Sequence, residues 1–316
     1  MSRARIRNAQ VPILIARRYE LDQFGWPLVG RLSRGQSTPM CVSLMRPVDS
    51  SGSDAQLQSR AGTARSDYVA AMTKENRPGI VRRLDHLVVG LGDARAAHDF
   101  CARELALPIA WPFEDYGPFA SGGIGLGNLN LELCRSGVQL PETHPARVGG
   151  LAFEPVGAVD ERLARSLDER EIAHMQPSPT PGWTNMQLPS FFAQVHTFFC
   201  EYHIPGARDA SLRAQALINV DGGVLKVQRA RCVTIGARDS AETIGSWSRL
   251  FEPIPPSESG FWEFPEGTDI RVVESERDEV LDLVLETKDQ GAAGALKDAR
   301  GASDPLCGLP ISFEVI

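Results

Sequence analysis

The sequence predicts an α+β protein built from tandem βαβββ modules, which pair into two domains after a disordered N-terminal segment. The main observation is a repeat: residues 84–93 read LDHLVVGLGD, and residues 230–239, 146 positions later, read ARCVTIGARD. In each copy an apolar strand runs into Gly, and Asp93 or Asp239 then stands where a helix N-cap accepts from free backbone N–H groups. A repeated strand–cap–helix unit indicates duplication. The composition, 42% hydrophobic and 23% charged, is that of a globular chain.

The first module shows the order of elements most clearly. An apolar strand is predicted over residues 84–89 and an amphipathic helix over 94–105, on which His98 is expected to face solvent. Strands over 124–126 and 129–134 flank Gly127 and Asn128, a pair that is typical of a hairpin turn.

The other modules repeat this order with shorter or longer connections. Module two is predicted from a strand at 149–153, a helix at 159–167 and a last strand at 196–202. Module three is predicted from a strand after residue 229, a helix at 241–251 and strands at 260–264 and 269–274. Module four is shortened to a strand at 280–286, a helix from Asp289 to about residue 299, and a strand at 311–316.

Two modules together cover the sheet face that one module leaves exposed, so pairs of modules are the expected domains. The predicted domains are 81–205 and a shortened 226–316, joined by a linker at 206–225 with a short helix. Residues 1–80 differ from the rest: they carry a net charge of +6, cluster their arginines and are rich in Ser and Gly. We expect a disordered extension there, which fits a true start at Met72; a targeting segment or a real structural element is the alternative.

Bulk properties limit the classes of function. The net charge is −7, so residues 81–316 carry −13, which argues against binding a phosphate backbone. Six cysteines without CxxC spacing indicate reduced thiols in a cytoplasmic protein, and no apolar run approaches the roughly 20 residues that span a bilayer. The expected partner is a small-molecule substrate or ligand, with no nucleic acid and no membrane, and the chain is expected to be a monomer or homodimer.

Tandem βαβββ modules that open with LDHLVVG resemble the glyoxalase / extradiol dioxygenase superfamily, also called vicinal oxygen chelate proteins. The resemblance covers residues 83–316 and is closest to the glyoxalase-like group. It implies that two modules curl into a cup, with a divalent metal held by the first and last strands of each. By this resemblance the metal ligands are His86 in LDHLV, Glu132 in NLELC and Glu201 in FFCEY. Gly150 stands where the second module's histidine is expected, so one of four ligands is absent.

One imidazole and two carboxylates suit Mn²⁺, Fe²⁺, Ni²⁺ or Zn²⁺ and leave positions open for two neighbouring oxygens of a bound molecule. The implied function is a metal-dependent lyase, isomerase or ring-cleaving oxygenase that acts on a small oxygen-rich molecule in the first domain's cup. The alternative is a metal-free protein that binds or sequesters a small molecule in the same cup, which the missing histidine favours.

Further candidates lie close to these ligands. His203 follows Glu201 by two residues, so the two are expected to share a strand face and to act together in catalysis. Trp183 and Tyr202 are expected to line the cup and bind substrate. In module three Cys232 takes the place of the histidine, so the second domain is expected to brace the first or to cover the mouth of its cup.

Overall fold

The computed structural model describes residues 77–117, 119–136, 145–189, 191–192, 195–258, 260–300, 304, 306 and 308–316. Residues 1–76 of the segment predicted to be disordered, 1–80, therefore lie outside the described residues. The described chain forms two mixed sheets with helices packed against them.

The larger sheet has eight strands in the order β2-β3-β4-β1-β5-β8-β7-β6. Its strands are β1 (Val81–Gly90), β2 (Ile109–Asp115), β3 (Phe119–Gly125), β4 (Asn130–Ser136), β5 (Arg147–Pro155), β6 (Ser178–Pro179), β7 (Trp183–Gln187) and β8 (His196–Tyr202). The first strands of the two modules, β1 and β5, pair antiparallel at the centre, and each pairs in parallel with its module's last strand. Modules one and two therefore meet edge to edge in one sheet.

The smaller sheet has five strands in the order β10-β11-β9-β12-β13. They are β9 (Val227–Ala237), β10 (Phe261–Trp262), β11 (Asp269–Glu274), β12 (Glu279–Thr287) and β13 (Ile311–Val315). The antiparallel pair β9–β12 repeats the pair β1–β5, and each of its strands again has a parallel neighbour. The central strands of the two sheets therefore pair in the same pattern, while the duplication itself stays a prediction.

Five α-helices connect the strands: α1 (Ala94–Asp99), α2 (Glu161–Asp168), α3 (Ala210–Asn219), α4 (Ser240–Phe251) and α5 (Ala292–Arg300). The predicted N-caps are confirmed, since the side chain of Asp93 accepts from the Ala96 amide and that of Asp239 from the Glu242 amide. None of the helices in the described ranges has the length and apolar character that crossing a bilayer requires.

The expected exposure of His98 on α1 is wrong. Its side chain is buried, 4% exposed, against β3, where its ring lies beneath Gly122 and edge-to-face with Phe113. The helix turns this side toward the sheet because glycine at position 122 leaves room for an imidazole.

One apolar core runs through both sheets, and one face of α4 packs into it. The ring of Phe153 on β5 contacts Trp247 and Phe251 of α4, and Phe251 also contacts Trp262 on β10. The α+β class is confirmed. The division into two paired-module domains stays a prediction, because the sheets share this core.

Candidate functional site

A bulge in β1 determines what faces the cup. Leu84 lies opposite Phe153 and His86 opposite Ala152, so Asp85 is an extra residue on the β1 side. A bulge interrupts the alternation of side chains, and here it brings Asp85 to the side of its neighbour His86. We call the side of the eight-stranded sheet that carries His86 the cup face.

Four charged side chains form a continuous chain on the cup face. Arg213 Nη2 lies 2.7 Å from Asp85 Oδ1, Asp85 Oδ2 lies 2.8 Å from His86 Nδ1, and His86 Nε2 lies 3.4 Å from Glu132 Oε2. The hydroxyl of Tyr202 donates to Asp85 Oδ2 at 3.2 Å. Asp85 and His86 are buried, whereas 18% of the Glu132 side chain is exposed. Glu132 is therefore the member of the chain that solvent reaches most readily.

The charges in this chain support one another. Burial raises the pKa of Asp85, but the guanidinium of Arg213 and the ring of His86 outweigh burial and hold that pKa well below its usual range. Burial lowers the pKa of His86, but its hydrogen bonds to Asp85 and Glu132 outweigh burial and raise the pKa to about 9. Its two acidic neighbours therefore favour the protonated, imidazolium form of His86.

Aromatic side chains surround the histidine. The His86 ring makes edge-to-face contacts with Trp111 and Phe198, at centroid distances of 6.0 and 5.7 Å. The two predicted substrate-binding residues, Trp183 and Tyr202, pack against the apolar cluster of this face. That cluster consists of Val88, Cys134, Ala152, Phe198 and Cys200. The cup face is thus an aromatic surface with one partly exposed carboxylate at the His86 end.

Glu201 and His203, the predicted catalytic pair, lie away from His86. Glu201 Oε2 accepts from the Val159 amide at 2.7 Å, and His203 Nε2 lies 2.9 Å from the Thr184 hydroxyl. Side chains alternate along a strand, and Tyr202 between them takes the cup face. The structure therefore corrects the expected convergence of three metal ligands: His86 meets Glu132, but Glu201 does not join them.

Strand register explains this correction. Glu132 pairs with Val88, two residues after His86. In module two the position of His86 is taken by Gly150, and Ala152, two residues later, pairs with Phe198. Phe198, three residues before Glu201, is therefore the residue that corresponds to Glu132. Both ligand positions of module two carry residues without donor atoms in their side chains.

The donor set does not fit the predicted three-ligand metal site. Within the described ranges no group of three or more His, Cys, Asp or Glu side chains is placed to hold an ion. His86 and Glu132 supply two donors, whereas a facial triad supplies three.

Two members of the charged chain, Asp85 and Arg213, are not evident from the sequence pattern. Strict alternation would place Asp85 on the face opposite His86, and only the bulge reverses this. Arg213 lies in the linker helix α3, far in sequence from Asp85 and His86. The available signal was the acidic residue next to the motif histidine, because a carboxylate commonly orients a functional imidazole.

No family model matches the sequence, and no curated protein matches it. Solved structures do. A hypothetical protein from Staphylococcus aureus is 10% identical with a TM-score of 0.50, over 74% of this chain and 99% of that one. Homoprotocatechuate 2,3-dioxygenase from Arthrobacter globiformis is 13% identical with a TM-score of 0.46, over 72% and 70%. A mutant of 4-hydroxymandelate synthase from Streptomyces coelicolor is 14% identical with a TM-score of 0.47, over 70% and 74%.

The solved structures that the chain resembles thus include a 2,3-dioxygenase. At these identities the likeness concerns the fold alone. It is carried by the Staphylococcus aureus protein, nearly all of which is matched. Reaction, metal and substrate have to be argued from the cup itself.

Proposed function

We propose that the cup face binds a small oxygen-rich molecule and that His86 and Glu132 transfer a proton on it, as in a lyase or an isomerase. The observation that carries this proposal is the His86–Glu132 pair, 3.4 Å apart, with the buried Asp85 behind the ring. Perturbed, coupled ionisable groups next to aromatic side chains are candidates for a functional site.

The pair suits a molecule with a carbonyl group next to an acidic C–H bond. A ligand oxygen that replaces the Glu132 oxygen accepts the Nε2–H of His86 and leaves the carboxylate as a base. The proton then passes from carbon to Glu132, while the electron pair moves onto the oxygen that the imidazolium holds. A fixed positive donor at the developing oxyanion lowers the barrier to this step.

A metal-dependent enzyme is the second candidate, and one observation favours it. Asp85 engages Nδ1 of His86 and leaves Nε2 facing Glu132, which is the arrangement that metal-binding histidines share. A metal bound there would supply Lewis-acid chemistry, and ring-cleaving oxygenase activity belongs to this candidate. The bound molecule would have to complete the donor set that the protein leaves at two.

Metal-free sequestration is the third outcome to be tested. The partly exposed Trp183 and Tyr202 beside the apolar cluster offer binding surface without needing proton transfer. The three candidates differ in whether a bound molecule reacts and in whether a metal is required.

The test uses full-length protein, stripped of metal or reloaded with Mn²⁺, Fe²⁺, Ni²⁺ or Zn²⁺. Diols, 2-hydroxy ketones and 2-oxo acids are screened for binding by ligand-observed NMR, for C–H exchange in D₂O, and for O₂ uptake. The variants are His86→Ala and Glu132→Gln, with Glu201→Gln as the matched control, because its carboxylate faces Val159.

C–H exchange by metal-free protein, lost in the first two variants and kept in Glu201→Gln, would support the proposal. Exchange or O₂ uptake that requires metal would replace it with the second candidate. Binding without any reaction would leave sequestration. No binding across the panel would overturn the assignment of the cup face as a small-molecule site.

A further inference from the structure

Two arginines of the segment between the sheets reach buried carboxylates in the eight-stranded sheet. Arg208 Nε donates to Glu154 Oε1 at 2.9 Å, and Arg213 Nη2 lies 2.7 Å from Asp85 Oδ1. Both carboxylates are fully buried. The two pairs differ in one respect: Asp85 contacts His86, whereas Glu154 is paired with arginines.

We propose that Arg213 is a positioning residue that holds Asp85 so that His86 points toward Glu132. This inference rests on the function proposed for the His86–Glu132 pair. One carboxylate oxygen of Asp85 contacts Arg213, and the other contacts both His86 and Tyr202. Both oxygens of the carboxylate are thus held in place, and removing Arg213 leaves one of the two oxygens without its partner.

Arg213 is itself held rigidly enough to do this. Its Nε and Nη2 donate to the Ala207 carbonyl at 3.0 and 2.7 Å, and its side chain is 12% exposed. The helix that carries it, α3, is capped by the side chain of Asp209 and buries Leu217. A guanidinium with several directed donors orients a carboxylate better than a single ammonium does.

Stability alone is a weak explanation for this buried pair. Taking Arg213 and Asp85 out of water costs free energy that their mutual attraction does not reliably exceed. The pair nevertheless lies directly behind the one imidazole of the cup's charged chain. Carboxylates behind functional histidines fix the ring and its tautomer, and their loss typically lowers activity or affinity about 10–100-fold. Arg213 in turn holds the carboxylate of Asp85, which orients the His86 ring.

The experiment compares Arg213→Gln, Arg213→Lys and Arg208→Gln in the full chain. Arg208→Gln is the matched control, because it removes the same group from the same segment without touching the partner of His86. The first readout is the Nδ1–H signal of His86 in ¹⁵N-histidine-labelled protein, assigned with His86→Gln. We expect the signal to be lost to exchange with water in Arg213→Gln, intermediate in Arg213→Lys and retained in Arg208→Gln.

The second readout is the C–H exchange rate with any active panel compound. We expect kcat to fall about 10–100-fold in Arg213→Gln with KM little changed. A retained Nδ1–H signal and an unchanged kcat in Arg213→Gln would overturn the inference. If Arg213→Gln does not fold, Arg213→Lys is the deciding variant. An exchange rate of the His86 Nδ1–H proton equal to that of wild type would overturn the inference, and a faster rate would support it. If Arg213→Gln loses the Nδ1–H signal and neither wild type nor any variant shows C–H exchange, the positioning role is supported. Only the proposed function is then contradicted.

Discussion

The side-chain amide of Asn128 bonds both backbone groups of Ala230, donating to its carbonyl at 2.8 Å and accepting from its amide at 2.9 Å. The same Nδ2 also lies 2.9 Å from the Gly267 carbonyl. Asn128 stands in the turn between β3 and β4, whereas Ala230 lies on β9. One side chain thus occupies the place of a strand partner and joins the two sheets at their boundary.

Replacing Asn128 should therefore weaken the whole fold. In Asn128→Ala the Ala230 amide and carbonyl lose these bonds in a buried setting, so the free energy of unfolding should fall by about 1–3 kcal/mol. Urea denaturation measures this. Asn219→Ala is the control: Asn219 is exposed at the end of α3 and bonds only Gln215 among the contacts described, so less than about 0.5 kcal/mol is expected. Equal losses in the two variants would contradict the joining role of Asn128.

Local signals in the sequence predicted some strands to the residue and other elements only roughly: the strand predicted at 124–126 is Phe119–Gly125, and the helix predicted at 94–105 is α-helical only over Ala94–Asp99. The last strand of module two was predicted at 196–202 and is His196–Tyr202, and the strand at 269–274 is Asp269–Glu274. The turn at Gly127 and Asn128 was predicted from turn chemistry. The bond from Asn128 to Ala230 was not, because the sequence holds no local signal for a partner 102 residues away.

The site was predicted only where local pattern and register agree. His86 and Glu132 meet as expected, since they lie on adjacent strands of one module. Glu201 was misplaced because a shift of three residues along β8 changes the face on which a side chain lies. Asp85 was missed because a bulge, invisible in the alternation of residue types, turns it to the cup face.

Gly123 should be intolerant of any side chain, because Trp111 lies directly on it. A Cβ added there would meet the Trp111 ring at 2.3 Å, and this ring contacts His86. Gly123→Ala should displace the indole, change its fluorescence and cost about 1–3 kcal/mol of stability. Gly149→Ala, also in a strand but with open space around its Cβ, is the control. Unchanged fluorescence and stability in Gly123→Ala would show that Trp111 does not rest on this glycine.

Glu154 should contribute more to stability than any of its surface partners. It is fully buried, and it pairs at 2.7 Å with the equally buried Arg83. In Glu154→Gln the guanidinium is left buried without its counter-charge, so a loss of about 3–5 kcal/mol is expected. In Arg82→Ala, which removes a 40% exposed partner of the same carboxylate, the expected loss is below about 1 kcal/mol. Thermal and urea denaturation rank the variants, and the reverse order would refute this account of the pair.

His98 should make the protein sensitive to mild acid. Burial lowers the pKa of its ring below the ordinary 6.5, and the nearby charge of Arg95 acts in the same direction, while hydrogen bonding to the backbone of Trp111 and Gly123 and the charge of Asp99 oppose them. Because the unfolded chain then binds the proton more tightly, the contribution of His98 to stability is complete above pH 6.5. It is lost progressively as the pH falls from 6.5 through the lowered folded-state pKa.

The measurement is the melting temperature of wild type and His98→Gln between pH 7.5 and 5. Glutamine keeps a polar side chain between Gly122 and Phe113 but does not titrate, so the variant should lose less stability than wild type on acidification. His203→Gln, at an exposed position, should follow the wild-type curve. If His98→Gln and wild type lose stability in parallel, protonation of this ring does not limit the fold in acid. Another group would then have to account for any acid sensitivity.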